Sequence, residues 1–203
     1  MFSQEGSVAA GVLPARSPPE QGEEAIMGQQ DLAARPNRLP WPPLIYGAAL
    51  AIGLGLGWLA PVGDLPQPPR LLLQTLGAVS AVLGLCLDLS AIVTLHRART
   101  NILPHRAADR LVTHGPFALS RNPIYLGNTL LVTGLGVALA NPWLAAAGLL
   151  AALATDRLAA RREERHLAAR FGAAFSDYAA RVPRWVGPAR PLTPPPPSAP
   201  GRN

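Results

Sequence analysis

The stretch Ile124–Ala154 reads IYLGNTLLVTGLGVALANPWLAAAGLLAALA, and it decides the fold. No charged residue interrupts it, and the pair Asn141–Pro142 separates an apolar run at 124–140 from a second run that starts at 143 and continues to about residue 160. Helices joined by such a short connection pack side by side in antiparallel directions. The stretch therefore predicts a tight helical hairpin.

Two further apolar runs precede the hairpin, at Leu44–Ala60 and Leu71–Leu95. A helix of about 20 apolar residues crosses the roughly 30 Å of hydrocarbon in a bilayer. Helices of soluble proteins carry a polar face, which these runs lack. Charged residues are also scarce, at 15% of the chain. We therefore predict an all-α integral membrane protein with about four transmembrane helices, at 44–60, 71–95, 124–140 and 143–160. The predicted partner of these helices is the lipid bilayer.

The arginines are distributed unevenly around these runs. The net charge is +6, and all 18 basic residues are arginines. They concentrate in residues 96–121 and after Asp156, whereas the loop 61–70 holds one and the Asn141–Pro142 turn holds none. Cytoplasmic loops carry an excess of basic residues. This pattern predicts cytoplasmic termini in a bacterial inner membrane. Because the arginines flank apolar runs, we expect no nucleic-acid partner.

Both ends of the chain differ in composition from its middle. Residues 1–43 are rich in Pro, Gly, Gln and Glu without apolar periodicity, and residues 188–203 are rich in proline. Such segments bury too little apolar surface to fold. We predict two disordered ends around a membrane domain at 44–187. The four histidines lack metal-ligand spacing and Cys86 is the one cysteine, so we predict no metal site.

The residues after the hairpin predict an amphipathic helix. Apolar side chains recur there every three or four residues, with arginines on the opposite face. A helix of this kind lies at a membrane surface. We therefore expect one interfacial helix whose apolar face consists of Leu167, Phe171, Phe175, Tyr178 and Val182.

The hairpin also predicts a polar site. It begins after Arg121 and returns at Glu163 and Glu164, so these residues are expected at the same membrane depth. Asp88 lies within the second run, where an acid is costly and usually faces a cavity or a partner. Two interpretations of Asp88 are open: it lines an acceptor tunnel, or it pairs with an arginine near the inner surface. Gly53 and Gly57 predict close helix packing.

Residues 100–185 resemble the isoprenylcysteine carboxyl methyltransferases and the related phospholipid N-methyltransferases. The signature of that family is Arg-His/Asn-Pro-x-Tyr-x-Gly, followed one helical hairpin later by Glu-Glu. This chain has the first part in LSRNPIYLG and the second in REERHLAARFG. Both motifs occur in the family's order and are joined by the expected hairpin. The matching positions are Arg121, Asn122, Pro123, Tyr125, Gly127, Glu163 and Glu164.

The resemblance implies a methyltransferase that uses S-adenosylmethionine at the cytoplasmic membrane face. In that interpretation the glutamates hold the ammonium or ribose hydroxyls, Arg121 pairs with the carboxylate, and Tyr125 faces the adenine or sulfonium. Pro123 starts the helix whose free N–H groups bind the anionic end of the cofactor. The predicted cofactor-binding residues are His114, Gly115, Arg121, Asn122, Pro123, Tyr125, Gly127, Glu163 and Glu164.

The acceptor is predicted to be a lipophilic molecule that enters from the bilayer. A carboxylate acceptor needs no general base, and O-methylation is the favoured reaction; an amine acceptor must lose a proton. No catalytic residue is assigned, although Arg184 and Asp156 are candidates beside the glutamates. Arg184 is an equally good lipid-phosphate contact. The alternatives are a phospholipid or amine N-methyltransferase, or a four-span transporter or scaffold that uses Asp88.

Overall fold

The protein is described by a computed structural model that covers residues 41–62, 70–100 and 108–187. Its regular elements are all helical, as predicted. The predicted disordered segments lie outside the described residues, except at 41–43. The helices are α1 (Trp41–Leu59), α2 (Arg70–Arg97), a 3₁₀ turn (Gly115–Ala118), α3 (Pro123–Ala138), α4 (Pro142–Thr155), a π turn (Asp156–Ala160), α5 (Arg161–Phe171) and α6 (Ala173–Arg181).

Helix α1 begins three residues before the predicted boundary. Trp41, Pro42 and Pro43 were predicted to be disordered, but they form its first turn. Proline is well tolerated there, because the first N–H groups of a helix have no intrahelical acceptor and the fixed φ of the ring suits the helix. The prediction was wrong at these three residues because a proline-rich composition is compatible both with a disordered segment and with the first turn of a helix.

Three helical stretches are long and apolar enough to cross a membrane: Trp41–Leu59, Arg70–Arg97 and Pro142–Phe171. The fourth predicted span is the shorter helix α3. Its 16 residues extend about 24 Å at the rise of an α-helix. The membrane fold therefore consists of α1, α2, the continuous stretch formed by α4, the π turn and α5, and the shorter apolar helix α3.

Helix α3 is the centre of this bundle. Helix α2 packs along one side of it and α4 along another, while α1 packs mainly on α4. A Cβ on Gly134 of α3 would lie 2.6 Å from the Ala81 nitrogen and 2.7 Å from the Gly77 oxygen of α2. Only glycine allows these backbones to approach so closely. The α2–α3 contact is therefore a glycine-dependent interface.

The predicted hairpin is formed by α3 and α4. Asn141 caps α4 by accepting a hydrogen bond from the Leu144 N–H at 3.1 Å. The Asn141 amide also donates to the Gly53 carbonyl of α1 at 3.1 Å. A Cβ on Gly53 would contact the Leu144 backbone at 2.6 Å. The close packing predicted for the glycines of α1 therefore joins that helix to the hairpin turn.

Asp88 lies in the α2–α3 interface rather than in either environment predicted for it. It is 8% exposed. A Cβ on Gly127 would collide with its carboxylate, so the two residues are in direct contact. Its Oδ1 atom has no hydrogen-bond partner in the described part of the chain. No described arginine pairs with Asp88, so the acid occupies a packing position whose space is provided by Gly127.

The predicted amphipathic helix is divided into two. Gly172 ends α5 with φ 53° and ψ −125°, a conformation that side chains with a Cβ rarely adopt. Helix α6 then starts at Ala173. Phe175, Tyr178 and Val182 are buried together and pack against Leu167 and Phe171. The apolar face was predicted correctly, but the continuity of the helix was not.

Candidate active site

The start of α3 positions three of the predicted cofactor-binding residues, Arg121, Asn122 and Pro123. Pro123 occupies the first turn of the helix, and Asn122 is the N-cap. The Arg121 N–H donates to the Pro183 carbonyl at 3.0 Å. The Asn122 side chain donates to the Arg184 carbonyl at 3.3 Å. The chain that follows α6 therefore anchors the start of α3 through backbone carbonyls.

The two glutamates come from the other end of the hairpin. Helix α4 does not run directly into α5, because the π turn Asp156–Ala160 separates them. A π turn holds one extra residue, which rotates the following helix by roughly 100°. This rotation sets which side of α5 carries Glu163 and Glu164. This π turn was not predicted from the sequence.

Glu163 contacts the first turn of α3 through a tyrosine. The Tyr125 hydroxyl donates to Glu163 Oε2 at 2.8 Å. The Tyr125 carbonyl in turn accepts a hydrogen bond from the Tyr46 hydroxyl at 3.0 Å. No described arginine contacts Glu163. Its carboxylate is therefore held by a neutral donor, and its charge is not compensated by an ion pair.

Glu164 has a different environment although it is the next residue. Arg184 donates to both of its oxygens, from Nε at 2.9 Å and from Nη2 at 2.6 Å. Arg121 Nη2 lies 3.1 Å from Oε1 of the same carboxylate. Both oxygens of Glu164 are thus occupied by guanidinium groups, and bidentate pairs of this kind are among the strongest hydrogen bonds.

The pairing continues to Asp156. Its Oδ1 accepts from Arg184 Nη1 at 3.3 Å and from the Trp185 indole at 3.2 Å. Its Oδ2 accepts from Arg161 Nε at 2.8 Å. We call this connected group the charged rim; it consists of Arg121, Asp156, Arg161, Glu164 and Arg184.

The pKa values of two groups beside the site are displaced. Hydrogen bonding to Glu164 raises the pKa of Arg184, so the guanidinium is always charged. Burial raises the pKa of Tyr178, whose hydroxyl donates to the Phe117 carbonyl at 2.7 Å. Both groups therefore keep their protons at neutral pH, and neither is a proton acceptor.

A cavity of about 310 Å³ lies between the start of α3 and α5. Its polar lining includes Arg121, Asn122, Tyr125 and Glu163. Its wall is mostly apolar and is formed by several parts of the chain. That wall includes Pro42 and Pro43 of α1, Ile92 and Leu95 of α2, Phe117 of the 3₁₀ turn, Pro123 and Ile124 of α3, and Leu167 and Tyr178 of α5 and α6.

Six predicted site residues do not line this cavity. His114 and Gly115 are exposed beside the 3₁₀ turn, where Gly115 approaches Thr94 of α2. Gly127 faces Asp88 in the α2–α3 interface. Asp156 and Arg184 lie behind Glu164 in the charged rim, and Glu164 itself is also absent from the lining. The cavity thus unites Arg121, Asn122, Pro123, Tyr125 and Glu163 of the predicted set.

Several lining residues were not predicted from the sequence. Ile92 and Leu95 resemble every other apolar residue of α2 in sequence, and no local pattern distinguishes them. Pro42 and Pro43 lay in the segment predicted to be disordered. Asn128 also lines the cavity, and its position three residues after Tyr125 on the same face of a helix was a usable signal.

Comparisons with known proteins identify the family of this chain. Residues 72–174, a little over half of the chain, match the model of the phospholipid methyltransferase family. The Arabidopsis thaliana protein-S-isoprenylcysteine O-methyltransferase B is 34% identical over 119 residues, which cover 56% of this chain and 59% of that protein. The nickel-cobalt-cadmium resistance protein NccN of Alcaligenes xylosoxydans xylosoxydans is 40% identical over 78 residues, covering 38% and 36%.

The chain therefore spans less than two thirds of either relative's length. No solved structure matches it. The matched region contains both sequence motifs, from Arg121 to Gly127 and at Glu163–Glu164, together with the hairpin that joins them. On this basis the chain belongs to the phospholipid methyltransferase family.

Proposed function

We propose that the protein transfers a methyl group from S-adenosylmethionine to a lipophilic acceptor at the cytoplasmic face of a bacterial inner membrane. The observation that carries the proposal is the cavity at the start of α3, which combines Arg121 and Glu163 with a largely apolar wall. The cytoplasmic orientation rests on the concentration of arginines around this end of the bundle.

The donor groups of the cavity fit this cofactor. Arg121 Nε is a buried N–H without a hydrogen-bond partner in the described part of the chain. A buried donor of this kind is costly to leave unpaired, and the carboxylate of the cofactor is a suitable acceptor. Glu163 has no arginine partner, so it is available to the ammonium or the ribose hydroxyls. The apolar wall suits the adenine ring, and the volume is at the lower end of that of small-molecule sites.

The residues of the cavity contribute mainly alignment. S-adenosylmethionine, when bound, supplies a methyl group that is activated by its sulfonium. Arg121 and Glu163 hold opposite charges on two different elements, so together they define the orientation of a zwitterionic ligand. Tyr125 fixes the position of the Glu163 carboxylate through its hydroxyl. Phe117 and Tyr178 exclude water from the wall, which strengthens each polar contact.

The apolar wall also suits a lipophilic acceptor. Pro42 and Pro43 of α1 and Ile92 and Leu95 of α2 belong to helices that border the bilayer. We propose a carboxylate as the favoured acceptor, in line with the O-methyltransferase activity in the name of the Arabidopsis relative. An ionised carboxylate attacks without a base, and no proton acceptor is then required of the site.

A lipid amine is the second candidate acceptor. It is favoured by Glu163, which is the carboxylate of the cavity without an arginine partner and is thus available to receive the proton of an ammonium. The glutamate and aspartate of the charged rim are unsuitable, because guanidinium groups occupy their oxygens. The two candidates therefore differ in whether Glu163 is needed for the chemical step.

Titration of S-adenosylhomocysteine into the purified protein in detergent tests the donor. We expect saturable binding that Glu163→Gln weakens at least tenfold, the approximate value of one hydrogen bond to a charged group. Asp177→Asn is the matched control, since Asp177 is an exposed acid on α6. Absence of binding to folded wild-type protein contradicts the proposal and favours a transporter or scaffold.

The acceptor is identified with S-adenosylmethionine labelled at the methyl group. Products formed from a prenylated cysteine analogue and from phosphatidylethanolamine vesicles are extracted and treated with alkali. A methyl ester releases labelled methanol under these conditions, whereas an N-methyl amine keeps its label. Volatile labelled methanol is the expected result, whereas non-volatile label that survives alkali in the phosphatidylethanolamine sample favours the amine.

A further inference from the structure

We propose that Arg184 is a positioning residue that orients Arg121 toward the carboxylate of the methyl donor, acting through Glu164. This inference rests on the proposed function. Arg184 does not line the cavity, and it lies in sequence beyond the matched family region. Its influence on the site is therefore transmitted by the carboxylate that it shares with Arg121.

The contacts of Glu164 form a bridge between the two arginines. Arg184 holds both oxygens of the carboxylate at 2.9 and 2.6 Å, and Arg121 Nη2 contacts Oε1 at 3.1 Å. The Glu164 side chain is 13% exposed, and that of Arg121 is 14% exposed. In such a protected place, a bidentate contact fixes the plane of the carboxylate and hence the direction from which Arg121 approaches it.

The donors of Arg121 show what this orientation leaves available. Nη2 is directed to Glu164, and Nη1 donates to the Ala179 carbonyl of α6 at 3.3 Å. Nε is buried without a partner in the described part of the chain, although Arg121 lines the cavity. Two edges of the guanidinium are thus tied to protein groups. The anion of a ligand then meets a cation whose position is already determined.

The backbone around Arg184 reinforces the same arrangement. Its carbonyl accepts hydrogen bonds from Ser120 Oγ at 3.0 Å and from Asn122 Nδ2 at 3.3 Å. The preceding Pro183 carbonyl accepts from the Arg121 N–H at 3.0 Å. The main chain of this segment therefore contacts Arg121 and the residues on either side of it, while the Arg184 side chain holds Glu164. Loss of the Arg184 side chain leaves the main-chain contacts in place.

Two methyl donors separate positioning from a general structural role. Decarboxylated S-adenosylmethionine lacks the carboxylate that Arg121 is proposed to bind and is otherwise the same molecule. The dissociation constants of both donors are measured by calorimetry on full-length protein in detergent. We expect Arg184→Ala to weaken binding of S-adenosylmethionine about tenfold, the approximate value of one charged hydrogen bond. Binding of the decarboxylated donor is expected to change little.

Further variants make the result specific. Arg121→Ala is expected to remove the preference for the carboxylated donor, and Arg184→Lys, which cannot form the bidentate contact, to give an intermediate value. In a Glu164→Gln background, Arg184→Ala is expected to add little, since both changes break the same bridge. Arg181→Ala is the matched control, because Arg181 is exposed and its Nε donates only to the Asp177 carbonyl within α6.

Each remaining outcome is decisive. An equal loss of affinity for both donors in Arg184→Ala shows a structural role and overturns the inference. Unchanged affinity for both donors overturns it as well. If wild-type protein binds both donors equally well, the inference fails while the proposed cofactor stands. If folded wild-type protein binds neither donor, the proposed function itself is wrong, and the inference fails with it. Where Arg184→Ala does not fold, the ratio of the two donors' dissociation constants in Arg184→Lys decides between these outcomes.

Discussion

The α2–α3 interface and the charged rim are held together by different forces. In the interface, glycines allow backbones to meet, and the contacts are van der Waals contacts between small groups. In the charged rim, three arginines share two carboxylates through hydrogen bonds of 2.6 to 3.3 Å. The interface is therefore sensitive to added volume, whereas the charged rim is sensitive to lost charge and to salt.

The difference has a functional consequence. The interface determines the relative position of α2 and α3. It therefore positions Ile92 of α2 and Tyr125 of α3, which both line the cavity. The charged rim closes the other side by connecting α5 and the chain after α6 to the start of α3. A closely packed apolar interface thus supports a polar site in which the charged rim holds Arg121, and this arrangement keeps a binding group in position.

The largest expected effect comes from adding volume to the interface. Gly134→Leu places a side chain where even a Cβ would lie 2.6 Å from the α2 backbone. We expect it to destabilise the protein by about 3 kcal/mol or more, because the helices must separate. Gly47→Leu is the control, since nothing lies within 4 Å of a Cβ at that position. Melting temperatures in detergent measure both, and equal melting temperatures would contradict the proposed interface.

A smaller effect is expected from removing a charge in the rim. Glu164→Gln leaves Arg121 and Arg184 without their shared carboxylate, and we expect a loss of about 2 kcal/mol. Glu163→Gln is the matched comparison. It is expected to cost less than about 1 kcal/mol, because a glutamine oxygen still accepts from the neutral Tyr125 hydroxyl. Thermal unfolding of both variants checks the ranking, and a larger loss in Glu163→Gln would reverse the assigned roles.

The smallest effect is expected at the outer end of the rim. Arg161 pairs with Asp156, but its side chain is 56% exposed. Arg161→Ala is therefore expected to cost less than about 1 kcal/mol, and the cost should decrease further in high salt. The exposed Arg162 serves as the control on the same helix. A salt-independent loss in Arg161→Ala would mean that this pair is more protected than its exposure indicates.

Much of the fold follows from the sequence because it depends on local composition and period. The four apolar runs, the hairpin at Asn141–Pro142 and the apolar face of the C-terminal helices are all visible in the order of residues. Their approximate boundaries were predictable since a charged or polar residue is costly in hydrocarbon. The break between α5 and α6 at Gly172 was less predictable, because a helix can either continue through a glycine or end at it.

The sequence alone also determined that Arg121 and Tyr125 meet the glutamate pair, since two spans of a hairpin return the chain to the same depth. Tertiary structure alone decided that the neighbouring glutamates differ: Glu163 contacts a tyrosine beside the cavity, and Glu164 is shared by two arginines. The reason is rotational. The π turn fixes the direction of each α5 side chain, and Arg184 reaches Glu164 only because the chain reverses after α6. These contacts depend on both the π turn and the path of the chain after α6, so no local pattern of residues predicts them.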